Sequence, residues 1–123
     1  MKPINEYLLS KNSAKTNHVV SAKVADHEND IVNPANYNSY VDFFNWFCIA
    51  IKEYGDLTEE ECELFKPNGD HLTLYSDGSV VLHNHDTQTI INADFSISDK
   101  KRSFKELYDM IIAFIQENKD KVQ

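Results

Sequence analysis

Three histidines of this chain, His71, His83 and His85, have types and spacing that could build a metal site. His83 and His85 are two residues apart, so both project to one side of a strand, and the strand register favoured below puts His71 across from His83. Three imidazoles that converge in this way can hold Zn²⁺ and leave a fourth position for water, as catalytic zinc sites do. The alternative is three solvent-facing histidines on an open sheet, and it is favoured because histidine often fills half-exposed positions and no cavity is evident. We therefore expect no cofactor and keep zinc as the alternative.

The register of those strands follows from the turn that contains Gly78. A two-residue turn at Asp77-Gly78 would place Leu72 opposite His83 and mix apolar with polar residues on each face. A type I turn at Ser76-Asp77, followed by Gly78 as a left-handed bulge, places Leu72 opposite Leu82 instead. Because a slip of one residue moves every side chain to the other face, the apolar pattern favours the bulged register.

Closing the next strand at Asp86-Thr87 continues the same pattern and predicts a three-stranded meander. One face is apolar and needs helices to cover it. That face consists of Leu72, Leu74, Val80, Leu82, Ile91, Ala93 and Phe95. The other face carries the three histidines with Thr73, Tyr75, Val81, Ile90, Asn92 and Asp94, and Tyr75, Val81 and Ile90 leave it partly apolar.

Helix signals flank the predicted sheet. Asn33 as cap and Pro34 as first residue begin a helix over 34–54, which Gly55 ends. Its apolar face consists of Tyr37, Tyr40, Phe43, Phe44, Phe47, Ala50, Ile51 and Tyr54, flanked by Val41 and Cys48. Capping boxes at Thr58 with Glu61 and at Ser103 with Glu106 predict a short acidic helix, 59–65, and a last helix, about 104–118.

The predicted fold is therefore α+β, with element order α-α-β-β-β-α and the two main helices packed on one face of the meander. Residues 33–123 form a single domain. Residues 1–32 are rich in polar residues and are predicted to form an extended N-terminal arm, which packs on its own domain or on a neighbouring subunit. The second alternative would make the protein a homo-oligomer that is joined through this arm.

Trp46 and Ile49 break the pattern of the long helix, because they fall on its polar side. The favoured interpretation is that the arm or the next helix covers them. The alternative is that they anchor a partner, since Trp is enriched at interface hot spots.

Composition narrows the function classes. The 123 residues fit one domain that needs no disulfide, and the two cysteines, Cys48 and Cys62, are expected to be reduced thiols of a cytoplasmic protein. A net charge of −8 argues against direct nucleic-acid binding. We expect neither a signal peptide nor a membrane span. Residues 37–70 carry eight acids and two bases, so most of the negative charge falls there.

The segment Ile4-Asn5-Glu6-Tyr7-Leu8-Leu9-Ser10-Lys11 resembles the starts of small proteins encoded by tailed bacteriophages, notably those of gut bacteria. The resemblance covers eight residues and transfers no catalytic residue. It implies a phage accessory protein, either a virion component or a small inhibitor of a host enzyme or defence system.

Three functional hypotheses follow. The first is a non-enzymatic module that binds another protein through Trp46, Ile49 and the outer sheet face with Tyr75. The second is an inhibitor of a host defence nuclease, similar to anti-CRISPR proteins, whose acidic helix mimics nucleic acid through Glu59, Glu60 and Glu63. The third is a metal-dependent enzyme that uses His71, His83 and His85.

Overall fold

The chain folds into a three-stranded antiparallel sheet with helices on one face, as a computed structural model of residues 24–33, 35–95 and 101–123 shows. The element order confirms the predicted α+β class. After a 3₁₀ turn at Val24–His27, the elements are β1 (Ile31–Val32), α1 (Tyr37–Glu53), α2 (Glu59–Leu64), β2 (Leu72–Leu74), β3 (Ser79–Asn84), β4 (Thr89–Asp94), β5 (Arg102–Ser103) and α3 (Phe104–Val122).

The register of the sheet is the one that the apolar pattern predicts. Leu72 faces Leu82 across β2 and β3, and Leu82 faces Ile91 across β3 and β4. Gly78 has φ +91°, the left-handed conformation that the bulged turn requires and that glycine adopts without steric cost. The turn at Gly78 and the turn between β3 and β4 thus set registers that place the apolar residues of all three strands on one face.

The core lies between this face and helices α1 and α3. Leu72, Leu74, Val80 and Leu82 are buried, and Ile91 and Phe95 pack against the core from its edge. The helices contribute a dense aromatic cluster in which rings from both helices meet. Its buried members are Phe43, Trp46, Phe47, Phe104 and Tyr108.

The ends of two helices differ from the prediction. Helix α1 begins at Tyr37, because the Asn36 side chain caps it by accepting from the backbone N–H of Asn38, whereas Asn33 accepts from Ala35 one turn earlier. Pro34 lies outside the described residues. Helix α3 continues past residue 118 to Val122, which is buried and would lose its core contacts in a shorter helix.

Both predicted capping boxes are confirmed. Thr58 and Ser103 each accept a hydrogen bond from the backbone N–H three residues later. Glu61 and Glu106 accept from the backbone N–H of the cap residue in return, which satisfies donors that the first helical turn leaves free.

The described part of the predicted arm is not extended throughout. Val24–His27 forms a 3₁₀ turn, and β1 pairs with β5, with Ile31 opposite Ser103. This pairing was not predicted, because both strands are only two residues long and too short for a periodic pattern. Residues 1–23 of the arm lie outside the described residues, so its packing in an oligomer stays a prediction.

Side-chain hydrogen bonds attach the segment around Glu28 and the loop after α1 to the helices. The hydroxyl of Tyr54 donates to Glu28 at 2.5 Å, and that of Tyr108 donates to Asp56 at 2.6 Å. The Lys105 ammonium lies 5.0 Å from the centre of the Tyr54 ring, within cation–π range. These contacts hold the segment around Glu28 and the loop after α1 against helices α1 and α3.

Candidate functional site

The outer face of the sheet carries the predicted histidines and an open depression of about 770 Å³. Strand alternation places its side chains there, because the residues between them fill the core on the opposite face. We call it the outer-face depression. It is lined by Gly69, Thr73, Tyr75, Val81, His83, Asn84, His85, Gln88, Thr89 and Ile90.

His83 is the most constrained side chain of this depression. Its Nε2 lies 2.9 Å from the hydroxyl oxygen of Thr73, whereas its Nδ1 is buried and has no hydrogen-bond partner. Desolvation lowers the pKa of His83, and the nearby imidazoles of His85 and His71 lower it further. The tautomer with the proton on Nε2 fits best, because it leaves only a lone pair, and not an N–H, unpaired on Nδ1.

The other two histidines surround His83 without converging on a common point. The backbone N–H of His83 donates to the carbonyl of His71 at 3.0 Å, so the predicted pairing is present. The Nδ1 of His71 lies 2.9 Å from the backbone carbonyl oxygen of His83, and the ring packs near Phe65. The ring of His85 lies tilted against that of His83, with ring centres 4.9 Å apart and an interplanar angle of 48°.

This geometry does not itself form the predicted three-histidine metal site, which stays a prediction. Shared strand faces bring the three rings together, but a backbone carbonyl and a threonine hydroxyl already engage one nitrogen each of His71 and His83. Within residues 24–33, 35–95 and 101–123, no group of three or more His, Cys, Asp or Glu side chains is placed to hold a metal ion.

Ile90 gives the outer-face depression its most exposed apolar contact. Its side chain is 66% exposed, and in the described part of the chain only Ile31, at 52%, is a comparably exposed large apolar residue. Tyr75 and Val81, which also line the depression, are half-buried. The predicted outer face with Tyr75 therefore offers apolar surface, and Ile90, on the edge strand β4, is its most exposed part.

Trp46 occupies a different environment from the predicted surface anchor. Its side chain is 2% exposed, and its indole N–H donates to the carbonyl of Val24 at 3.0 Å. Phe104 and Tyr108 of α3 pack against the ring. The arm and the last helix thus cover Trp46, as the favoured interpretation expects of the arm, and the alternative that Trp46 anchors a partner is corrected. Ile49 is partly buried and packs against the core.

The acidic helix α2 is exposed on one side and tied down on the other. Glu59, Glu60 and Glu63 point to solvent. Glu61 pairs with Lys119 of α3 at 2.5 Å, and this hydrogen bond lowers the pKa of Glu61. The three exposed carboxylates are therefore available to a partner, whereas the fourth has a structural role.

The two thiols lie on the α1 and α2 side of the molecule. Cys48 and Cys62 are both free and line one shallow groove between these helices. Burial raises the pKa of Cys48 to about 11, and burial also raises that of Cys62, whose Sγ donates to the carbonyl of Ile51. Such thiols are poor nucleophiles at neutral pH.

Comparison with known proteins gives no relative for this arrangement: the chain matches no protein-family model, and no curated protein and no solved structure is significantly similar to it. None of the helices in the described ranges has the length and apolar character that crossing a bilayer requires.

Proposed function

We propose that this protein is a small, acidic, non-enzymatic module that binds another protein through the outer face of its sheet. The observation that carries the proposal is Ile90, a large apolar side chain that is 66% exposed beside the outer-face depression. A protein partner that covers apolar side chains around a concave surface removes them from water, and this burial favours binding. The resemblance of residues 4–11 adds the proposal that the partner is a host or virion protein.

The surroundings of Ile90 support docking better than chemistry. Val81 and Tyr75 supply further apolar area, and Thr89 and Gln88 supply a polar rim. The imidazole of His83 is engaged by Thr73 and its pKa is lowered, so it is a neutral, fixed part of this surface at pH 7. A rigid surface of this kind loses little conformational entropy on binding.

A photo-crosslinking amino acid in place of Ile90 tests the proposal in cells that produce the protein natively. We expect a discrete adduct with one protein. The matched control places the same amino acid at Glu117, which is exposed on α3. The adduct should disappear when Val81→Lys is added, because a charge in the depression opposes desolvation. Equal labelling from both positions would contradict the proposal.

The exposed carboxylates of α2 favour a second candidate, nucleic-acid mimicry through Glu59, Glu60 and Glu63. Mimicry depends on long-range charge, so its affinity should fall steeply as salt rises, whereas apolar docking should change little. Replacing the three glutamates with glutamine should abolish mimicry and leave the Ile90 adduct intact. Loss of the adduct in this variant would favour the second candidate.

A further inference from the structure

We propose that the partner binds as an extended, basic strand that adds to the open edge of β4 and extends the sheet to four strands. This inference rests on the proposed docking surface and specifies the kind of partner that the surface takes. Strand addition supplies affinity through the main chain and specificity through alternate side chains.

The register determines which backbone groups of β4 face outward. The N–H of Phe95 donates to the carbonyl of Gly78. Because hydrogen-bonded pairs alternate along an antiparallel ladder, Ala93 and Ile91 also point their backbone groups at β3. Ile90 and Asn92 are the intervening residues, so their N–H and C=O groups point away from β3, toward solvent.

Within the described residues, a side chain satisfies part of one edge of the sheet, whereas no strand pairs with the other edge, that of β4. At the β2 edge, the Asn68 side chain accepts a hydrogen bond from the backbone N–H of Leu74 at 2.8 Å. Along β4, the stretch Thr89–Ala93 contains no charge and no proline, which are common means of blocking an edge, and the one charged residue of the strand is Asp94 at its end. An unprotected edge of this composition is a template for another strand.

Charge favours a basic strand from another protein over a second copy of this chain. The described residues carry 18 acidic and 7 basic side chains, and β4 itself ends at the acidic Asp94, whereas no Asp, Glu, Lys or Arg lines the outer-face depression. Two copies would bring like net charges of −8 together. A partner strand would place alternate side chains beside Ile90 and Asn92, where an apolar residue opposite Ile90 gains most.

A proline at position 92 tests how much the backbone N–H of that residue contributes to binding of the added strand. Asn92→Pro removes one outward N–H and keeps the pairing with β3, because proline is tolerated on an edge strand whose N–H faces solvent. Asn92→Ala is the matched control, since it removes the same side chain and keeps the N–H. A thermal melt of each variant confirms that both are folded.

The probe is a seven-residue peptide of alternating lysine and valine, added to the full chain. We expect the amide protons of Ile90 and Asn92 to exchange at least about tenfold more slowly with saturating peptide, as hydrogen-bonded amides do. Asn92→Pro should weaken peptide binding about fivefold to tenfold, as expected for one lost hydrogen bond, and Asn92→Ala should stay within about twofold.

Three results would overturn strand addition. Equal binding by the proline and alanine variants would show that the backbone at position 92 is not used. Protection of Ile90 and Asn92 in the free, dilute protein would show that the edge is already occupied. Protection that rises with protein concentration, together with a dimeric mass, would identify a second copy as the occupant.

The two proposals fail in distinguishable ways. A photo-adduct at Ile90 that forms equally well in the Asn92→Pro variant would keep the docking surface and reject strand addition. Absence of an adduct at Ile90 counts against the docking surface itself, whatever the peptide does.

Discussion

The indole N–H of Trp46 donates to the backbone carbonyl of Val24 across 22 residues, and this bond closes the domain at the point where the described chain enters it. The ring also lies against Phe104 and Tyr108 of α3. Trp46 thus joins three parts of the chain, the entry segment, α1 and α3, in one buried contact. Its hydrogen-bonding N–H explains why a tryptophan, and not a phenylalanine, occupies this position.

Replacing Trp46 should therefore destabilise the fold rather than weaken partner binding. Trp46→Phe leaves the carbonyl of Val24 buried without its donor, and we expect a loss of about 1–3 kcal/mol in the free energy of unfolding. Trp46→Ala should cost about 3–5 kcal/mol, because it also leaves a cavity. Urea denaturation measures both. Unchanged stability of Trp46→Phe would contradict the assigned role of the hydrogen bond.

His83 should make the stability of the protein depend on pH in one direction. Desolvation, followed by the imidazoles of His85 and His71, lowers its pKa in the folded state below the ordinary value. The unfolded chain therefore binds a proton more readily, and stability is full above about pH 6.5, the ordinary pKa of histidine. It falls as pH decreases toward the folded-state pKa.

Thermal melts of the wild type and of His83→Asn between pH 7.5 and pH 5 measure this effect. The decrease in melting temperature should be smaller in His83→Asn, which has no proton to bind at this position. The NMR titration midpoint of the His83 ring should lie below that of a histidine in a short peptide. A midpoint above that value would contradict the desolvation argument.

Glu61 combines two roles, of which sequence predicts only one. Its capping box with Thr58 is a local pattern over three residues, and it was predictable for that reason. Its ion pair with Lys119 joins residues 58 positions apart and leaves no local signal. The same distinction applies to the hairpin at Gly78, which neighbouring residues determine, and to the contact of Trp46 with Val24, which they do not.

The histidines show the limit of spacing arguments. Alternation along the strands correctly places His71, His83 and His85 on one surface region. The direction of each ring nitrogen depends instead on the nearest acceptor or donor, such as the carbonyl of His83 or the hydroxyl of Thr73. Packing with distant residues determines these ring orientations. The sequence therefore predicts which face of the sheet a histidine lies on, but not whether its nitrogens can bind a metal.

Removing Lys119 should raise the pKa of Glu61. The hydrogen bond from Lys119 is the largest cause of the lowered pKa, ahead of the backbone hydrogen bond from Thr58. In Lys119→Met, NMR titration of the Glu61 carboxyl carbon should move toward the ordinary value near 4.3 without reaching it, because the capping bond stays. Lys121→Met, two residues further along α3 and exposed, is the control and should leave the titration unchanged.

The thiols should react slowly in the folded protein. Burial raises the pKa of Cys48 to about 11, so very little thiolate is present at pH 8. A disulfide reagent should label Cys48 and Cys62 far more slowly than a free cysteine peptide, and urea should bring both rates close to that of the peptide. Rapid labelling of either thiol in the native protein would contradict the assigned burial.

Gly78 should be the least replaceable residue of the first hairpin. Its φ of +91° is strained for any residue with a Cβ, and the bulge that it forms holds Leu72 opposite Leu82. Gly78→Ala should cost more than about 1 kcal/mol in the free energy of unfolding. Gly78→Asn should cost less than Gly78→Ala, because asparagine tolerates positive φ better. Urea denaturation compares the two, and an alanine variant as stable as the wild type would show that the turn can close without the bulge. The register of the sheet, and with it the outward direction of Ile90, would then depend on the apolar face alone.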